Sequence, residues 1–76
     1  MTANIFKGKN EDEKNNLEEV LEHSIEVEED LMRTYLIAAE RIHDDVELKN
    51  RLENFAEGNA KRTKQLLDEL NENKEK

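Results

Sequence analysis

Two polar residues occupy places where a helical pattern calls for apolar ones. At about 100° of turn per residue, Glu28 falls near the middle of an apolar arc that includes Leu21, Ile25, Leu31, Met32 and Tyr35. Asn59 holds the same central place in a second arc, between Phe55, Ala56, Thr63 and Leu66. A carboxylate in such surroundings is paired, hydrogen-bonded, protonated or bound to metal, because burying an unpaired charge is costly. If the chain reverses near residues 44–45, residue 28 faces roughly residues 59–62. Glu28, Asn59 and Arg62 then belong to one layer. Two chemistries suit it. One is a polar layer that fixes helix register and oligomer state, as a buried Asn does in coiled coils. The other is a carboxylate metal site with Glu28 as a ligand.

The remaining candidates have ordinary explanations. His23 lies beside Glu19, Glu22 and Glu26 on the charged side of the wheel, where a solvated histidine is favoured over an acidic cation site. His43 falls at the end of the first apolar segment and suits the negative end of a helix dipole. Tyr35 fits a core position with its hydroxyl reaching water or the polar layer. Gly58, beside Asn59, costs a helix about 1 kcal/mol relative to Ala and suggests a close approach or a local distortion, with simple tolerance of the glycine as an equal alternative. No Gly-rich phosphate loop, nucleophile elbow or Ser/His/Asp constellation is present. With no cysteine in the chain there is no disulfide framework, thiol nucleophile or zinc knuckle. No catalytic residue is assigned, and the sequence leans away from an enzyme.

These residues must be carried by two helices. Leu17, Val20, Leu21, Ile25, Val27, Leu31, Met32, Tyr35, Leu36, Ala38, Ala39 and Ile42 share one half of a wheel, with Ile37 outside it. Leu48, Leu52, Phe55, Ala56, Ala60, Thr63, Leu66, Leu67 and Leu70 make a second stripe. Asp44 or Asp45 can cap the second helix, and Asn10 before Glu11-Asp12-Glu13 is a start signal for the first. A connection this short makes the pair antiparallel. We therefore expect a flexible segment over 1–10, a helical hairpin over 11–70 and a flexible tail over 71–76.

An apolar arc about half the circumference wide exceeds the seam that one partner helix covers. At 76 residues a lone core is also small, supplying about 3–5 kcal/mol. A second hairpin is implied, most economically as a two-fold homodimer forming a four-helix bundle. Residues 11–30 hold ten acidic residues and one lysine, while Lys61, Arg62 and Lys64 lie where an antiparallel partner brings them near. Such pairs bias register without making the fold, at about 0–1 kcal/mol each.

Residues 17–70 resemble half of a ferritin-like or rubrerythrin-like bundle. The block Glu28-Glu29-Asp30-Leu31-Met32-Arg33-Thr34-Tyr35 is similar to that family's first-helix block, in which an iron-binding Glu precedes a Tyr by seven positions, and Glu28 matches the ligand. The stretches Asp45-Val46-Glu47-Leu48-Lys49, Phe55-Ala56-Glu57 and Lys64-Gln65-Leu66-Leu67 resemble the surroundings of the family's Glu-x-x-His motif. A dimerising hairpin is also similar to the encapsulated ferritins, whose di-iron site forms between subunits. Asn59 stands where the resemblance places the motif's Glu, and Arg62 where it places the His. Di-iron chemistry needs about four carboxylates and two imidazoles, so the resemblance implies a family fold whose second-helix ligands are lost. In that case Arg62 takes the place of the cation and pairs with Glu28.

The net charge of −8 repels phosphate backbones and anionic membranes, so neither nucleic acid nor membrane is expected as a partner. No apolar run approaches the roughly 18 residues of a membrane span, and a cytoplasmic location is the expectation. The reading is an all-α antiparallel hairpin that dimerises into a ferritin-like four-helix bundle and serves as a non-catalytic assembly or interaction module. The alternative is iron binding or handling at the subunit interface through Glu28. The expected partner is a second copy of the chain or another helical protein, with no resident cofactor.

Overall fold

Thirty successive residues with neither glycine nor proline, Glu11–Glu40, form the first helix, α1. A second run of thirty, Val46–Glu75, forms α2 with Gly58 as its one interruption. The computed structural model describes the backbone of residues 11–75 and the side chains of residues 15–75. The expected flexible segment over 1–10, with its Asn10 cap, lies outside the described residues. Among those described there are two helices and no strand, and neither helix is long and apolar enough to cross a membrane.

The connection is set by short-range bonds. Arg41 N–H donates to the Ala38 carbonyl at 3.1 Å and Ile42 N–H to that of Ala39 at 3.2 Å, tightening the last turn of α1 to i→i−3 spacing. Three residues later Asp45 caps α2: its Oδ1 accepts from Leu48 N–H at 3.0 Å, and its carbonyl accepts from Lys49 N–H at 3.0 Å. The carboxylate satisfies a backbone donor that has no partner within the helix and sits at the positive end of the helix dipole. Asp45 rather than Asp44 is the cap because three residues separate it from the N–H it receives.

α2 runs on to Glu75, beyond the boundary expected at Leu70. Asn71 to Lys74 contain no glycine or proline to stop a helix, and Leu70 is buried, anchoring the turn that precedes them. Residues 71–75 are thus helical where a tail was expected.

The two helices meet along one seam. Ile25, Ala39, Ala56 and Leu70 are buried there together with Asn59, and Leu17, Leu21, Met32, Tyr35, Ile42, Leu52, Thr63 and Leu66 are half-buried. Ala39 and Ala56, at 1% and 3% exposure, let the backbones approach. Tyr35 and Phe55 pack across the seam with ring centroids 5.4 Å apart and planes tilted by 56°, a favoured arrangement for aromatic pairs.

The hairpin measures 54 × 27 × 13 Å. Its thinnest dimension is about that of a single helix with its side chains, 10–12 Å. The radius of gyration of 16.6 Å compares with about 11 Å for a compact chain of this length. This is one layer of helices, and stable domains are built from at least two layers packed over a core.

Candidate functional site

Glu28 stands near the middle of α1 and Asn59 near the middle of α2, and the antiparallel register brings them face to face. Asn59 Nδ2 donates to Glu28 Oε1 at 2.6 Å. Arg62 Nε donates to Glu28 Oε2 at 3.0 Å. Both carboxylate oxygens are therefore engaged, one by a neutral amide and one by a guanidinium. Thr63 ties the same turn together, its hydroxyl donating to the Asn59 carbonyl at 2.9 Å.

The three side chains form a gradient from seam to solvent. Asn59 is 2% exposed, while the side chains of Glu28 and Arg62 are 19% and 55% exposed. Arg62 is thus at the edge of the layer and not in a closed core. Its guanidinium lies over Gly58: a Cβ built there would stand 3.6 and 3.8 Å from Nη1 and Nη2. These are ordinary van der Waals distances, so a methyl group at position 58 fits beneath the guanidinium.

The hydrogen bond from Asn59 lowers the pKa of Glu28 most, followed by the hydrogen bond from Arg62 and its charge, with partial burial opposing them. Both donors favour the ionised form. Glu28 is an anion at neutral pH, held by a cation and an amide. Asn59 Oδ1, by contrast, is buried without a hydrogen-bond partner, a condition that costs about 1–3 kcal/mol.

Two open grooves flank Arg62 on the same edge of the seam. One, of about 570 Å³, is lined by Ser24, Glu28, Arg62, Gln65, Leu66 and Glu69. The other, of about 330 Å³, is bounded by Leu31, Tyr35, Phe55 and Gly58 as well as Asn59 and Arg62. Leu31 and Phe55 are 39% and 52% exposed. Val20 and Val27 stand one helical turn before Ser24 and Leu31, and Leu48 two turns before Phe55, so they continue this edge. They are 44%, 42% and 36% exposed.

The other candidates are not gathered with the layer. His23 and His43 are exposed, as are Glu19, Glu22 and Glu26 around His23. Among the described residues no three His, Cys, Asp or Glu side chains converge as a cation site would require. The Tyr35–Phe55 pair and the position of the Arg62 guanidinium over Gly58 were not read from sequence. The register that sets residue 28 against residues 59–62 also brings 35 close to 55, so the aromatic pair had a signal. The position of Arg62 over Gly58 had none.

Compared with models of known families, with curated proteins and with solved structures, the chain gives no match. These comparisons do not link it to ferritin-like proteins.

Proposed function

We propose that this chain is a non-catalytic assembly module, two hairpins burying apolar faces against each other as a ferritin-like four-helix bundle with Glu28, Asn59 and Arg62 specifying the packing. The observation that carries this reading is the open edge of a one-layer hairpin: Val20, Val27, Leu31, Leu48 and Phe55 are 36–52% exposed on one side of the seam. Apolar surface gathered into a patch marks an interaction site, whereas the same residues scattered singly would not. The outline of the hairpin is 54 × 27 Å, ample for the roughly 800 Å² per partner that a stable interface buries.

The polar layer supports assembly over metal chemistry. A divalent cation at Glu28 would have to displace both Asn59 and Arg62 from the two carboxylate oxygens. It would also sit beside a guanidinium that repels it. Within each hairpin Arg62 already balances the charge of Glu28, which makes the layer compatible with burial.

Mass in solution together with metal content after purification tests the reading. A metal-free dimer is the expected result. Stoichiometric iron lost on Glu28→Ala would favour iron handling instead, and a monomer that acquires a second helical protein would make the chain an adaptor.

A further inference from the structure

We propose that the second hairpin docks with its loop at the opposite end, α1 over α1 and α2 over α2, so that Phe55 of each copy enters the groove beside Ser24 and Leu66 of the other. The proposal rests on the self-association proposed above and adds its orientation and its anchoring residue.

Position along the hairpin carries the first argument. Glu28 and Asn59 define one level, and each lies within three residues of the midpoint of its own helix. A two-fold axis crossing the hairpin at that level overlaps the two copies along nearly their full length. Phe55 stands four residues to the loop side of Asn59, and Ser24 four residues to the open-ended side of Glu28, each about 6 Å from the axis. The rotation therefore sets Phe55 against the level of Ser24 in the second copy. That level holds the larger groove, whose walls are Ser24, Glu28, Arg62 and Leu66, and Phe55 is 52% exposed even as its ring packs against Tyr35. A knob and a hole on one surface, equidistant from a common axis, are what an isologous interface requires.

Charge separates this arrangement from the one with both loops together. At the open end, residues 15–22 and 65–75 hold seven acidic residues and one basic residue, a net of −6. At the loop end, residues 36–52 hold four acidic and three basic residues, a net of −1. Loops together would set −6 against −6 at one end. Loops apart set −6 against −1 at both ends, and like-charge juxtaposition is what selects between registers.

The absence of cysteine makes the test direct. Asp44→Cys places a spin label on the exposed loop without touching the Asp45 cap, and electron–electron distance measurement on the full chain reads the arrangement. Loops apart give about 45–50 Å, from the rise of 1.5 Å per residue, and loops together give less than about 20 Å. Phe55→Ser, and separately Ser24→Arg, which fills the groove and leaves Phe55 in place, should each weaken the dimer by about 30-fold, as the loss of a central anchor does. Helical circular dichroism checks that each variant still forms the hairpin. A short distance would overturn the orientation while leaving self-association standing. A dimer indifferent to both substitutions would overturn the Phe55 anchor. A wild-type chain that is monomeric by mass would remove self-association itself.

Discussion

The two edges of the hairpin seam are equally open to water and differently built. One carries Val20, Val27, Leu31, Leu48 and Phe55 around the Glu28–Asn59–Arg62 layer. The wheel places Leu36, Val46 and Leu67 on the other, 41%, 68% and 43% exposed, among Glu18, Glu22, Glu29, Lys49 and Glu53. Three separated apolar side chains in a charged setting are ordinary for a helix facing water. Five large apolar side chains on one edge are not. The wide apolar arc thus divides into a seam, filled by the hairpin itself, and a second face whose centre is marked by an ion pair.

Leu31→Asp against Leu36→Asp is the sharpest way to break this comparison. The first should raise the dissociation constant of the dimer about 30-fold, near 2 kcal/mol. The second should stay within about threefold, as surface substitutions do. Sedimentation equilibrium on both variants decides it, and equal effects would mean that the edges do not differ.

A change within the seam should act on both edges alike. Ala56 is 3% exposed, and Ala56→Leu overfills its position, with a loss of about 1–3 kcal/mol. Urea unfolding measures this. The cost should appear whether or not the partner is bound.

Acid tests the polar centre of the apolar edge. Because Asn59 and Arg62 both favour the Glu28 carboxylate, its pKa in the folded chain lies below that in the unfolded chain. The stability it contributes is fully present above the unfolded value, about 4.3, and is lost as pH falls through the folded one. Glu28→Gln should therefore show a shallower fall in melting temperature between about pH 5 and pH 3 than the parent chain. An unchanged slope would show that the layer does not report on folding.

The smallest effect is expected at Gly58. A Cβ there meets Arg62 Nη1 and Nη2 at 3.6 and 3.8 Å, ordinary van der Waals contacts, so Gly58→Ala should stabilise the hairpin by about 0.5–1 kcal/mol. A gain in thermal stability accompanied by a weaker dimer would sharpen the comparison further, by showing that a second copy passes close over this turn.

The seam and its polar layer were legible in the sequence because both depend on spacing alone. The place of Glu28 opposite Asn59 and Arg62 follows from two helical periods and the turn at 44–45. The division of the apolar arc was not legible. A wheel gives Val27 and Ile25 the same apolar standing, yet Ile25 is buried and Val27 is 42% exposed. Which part of the arc meets α2 depends on how the helices roll against each other. The buried alanines, Ala39 and Ala56, mark that contact and were only two members of a long stripe. The end of α2 was missed for a different reason: polar residues from Asn71 onward resemble a tail by composition, while nothing in them breaks a helix.

The Asp45 cap has a consequence for the order in which the hairpin forms. Cap and loop fix the reversal within a few residues, so we expect pairing to start there and to close outward like a zip. Glu28 and Asn59 are separated by 31 positions, and in the same register Leu17 and Leu70 by 53. Extending the closed loop from the first pair to the second adds only about 0.5 kcal/mol of chain entropy. The many contacts within each helix are local, and chains rich in them fold in microseconds to milliseconds. On that expectation the half of the molecule between the loop and Glu28, Phe55 included, assembles before the acidic open end.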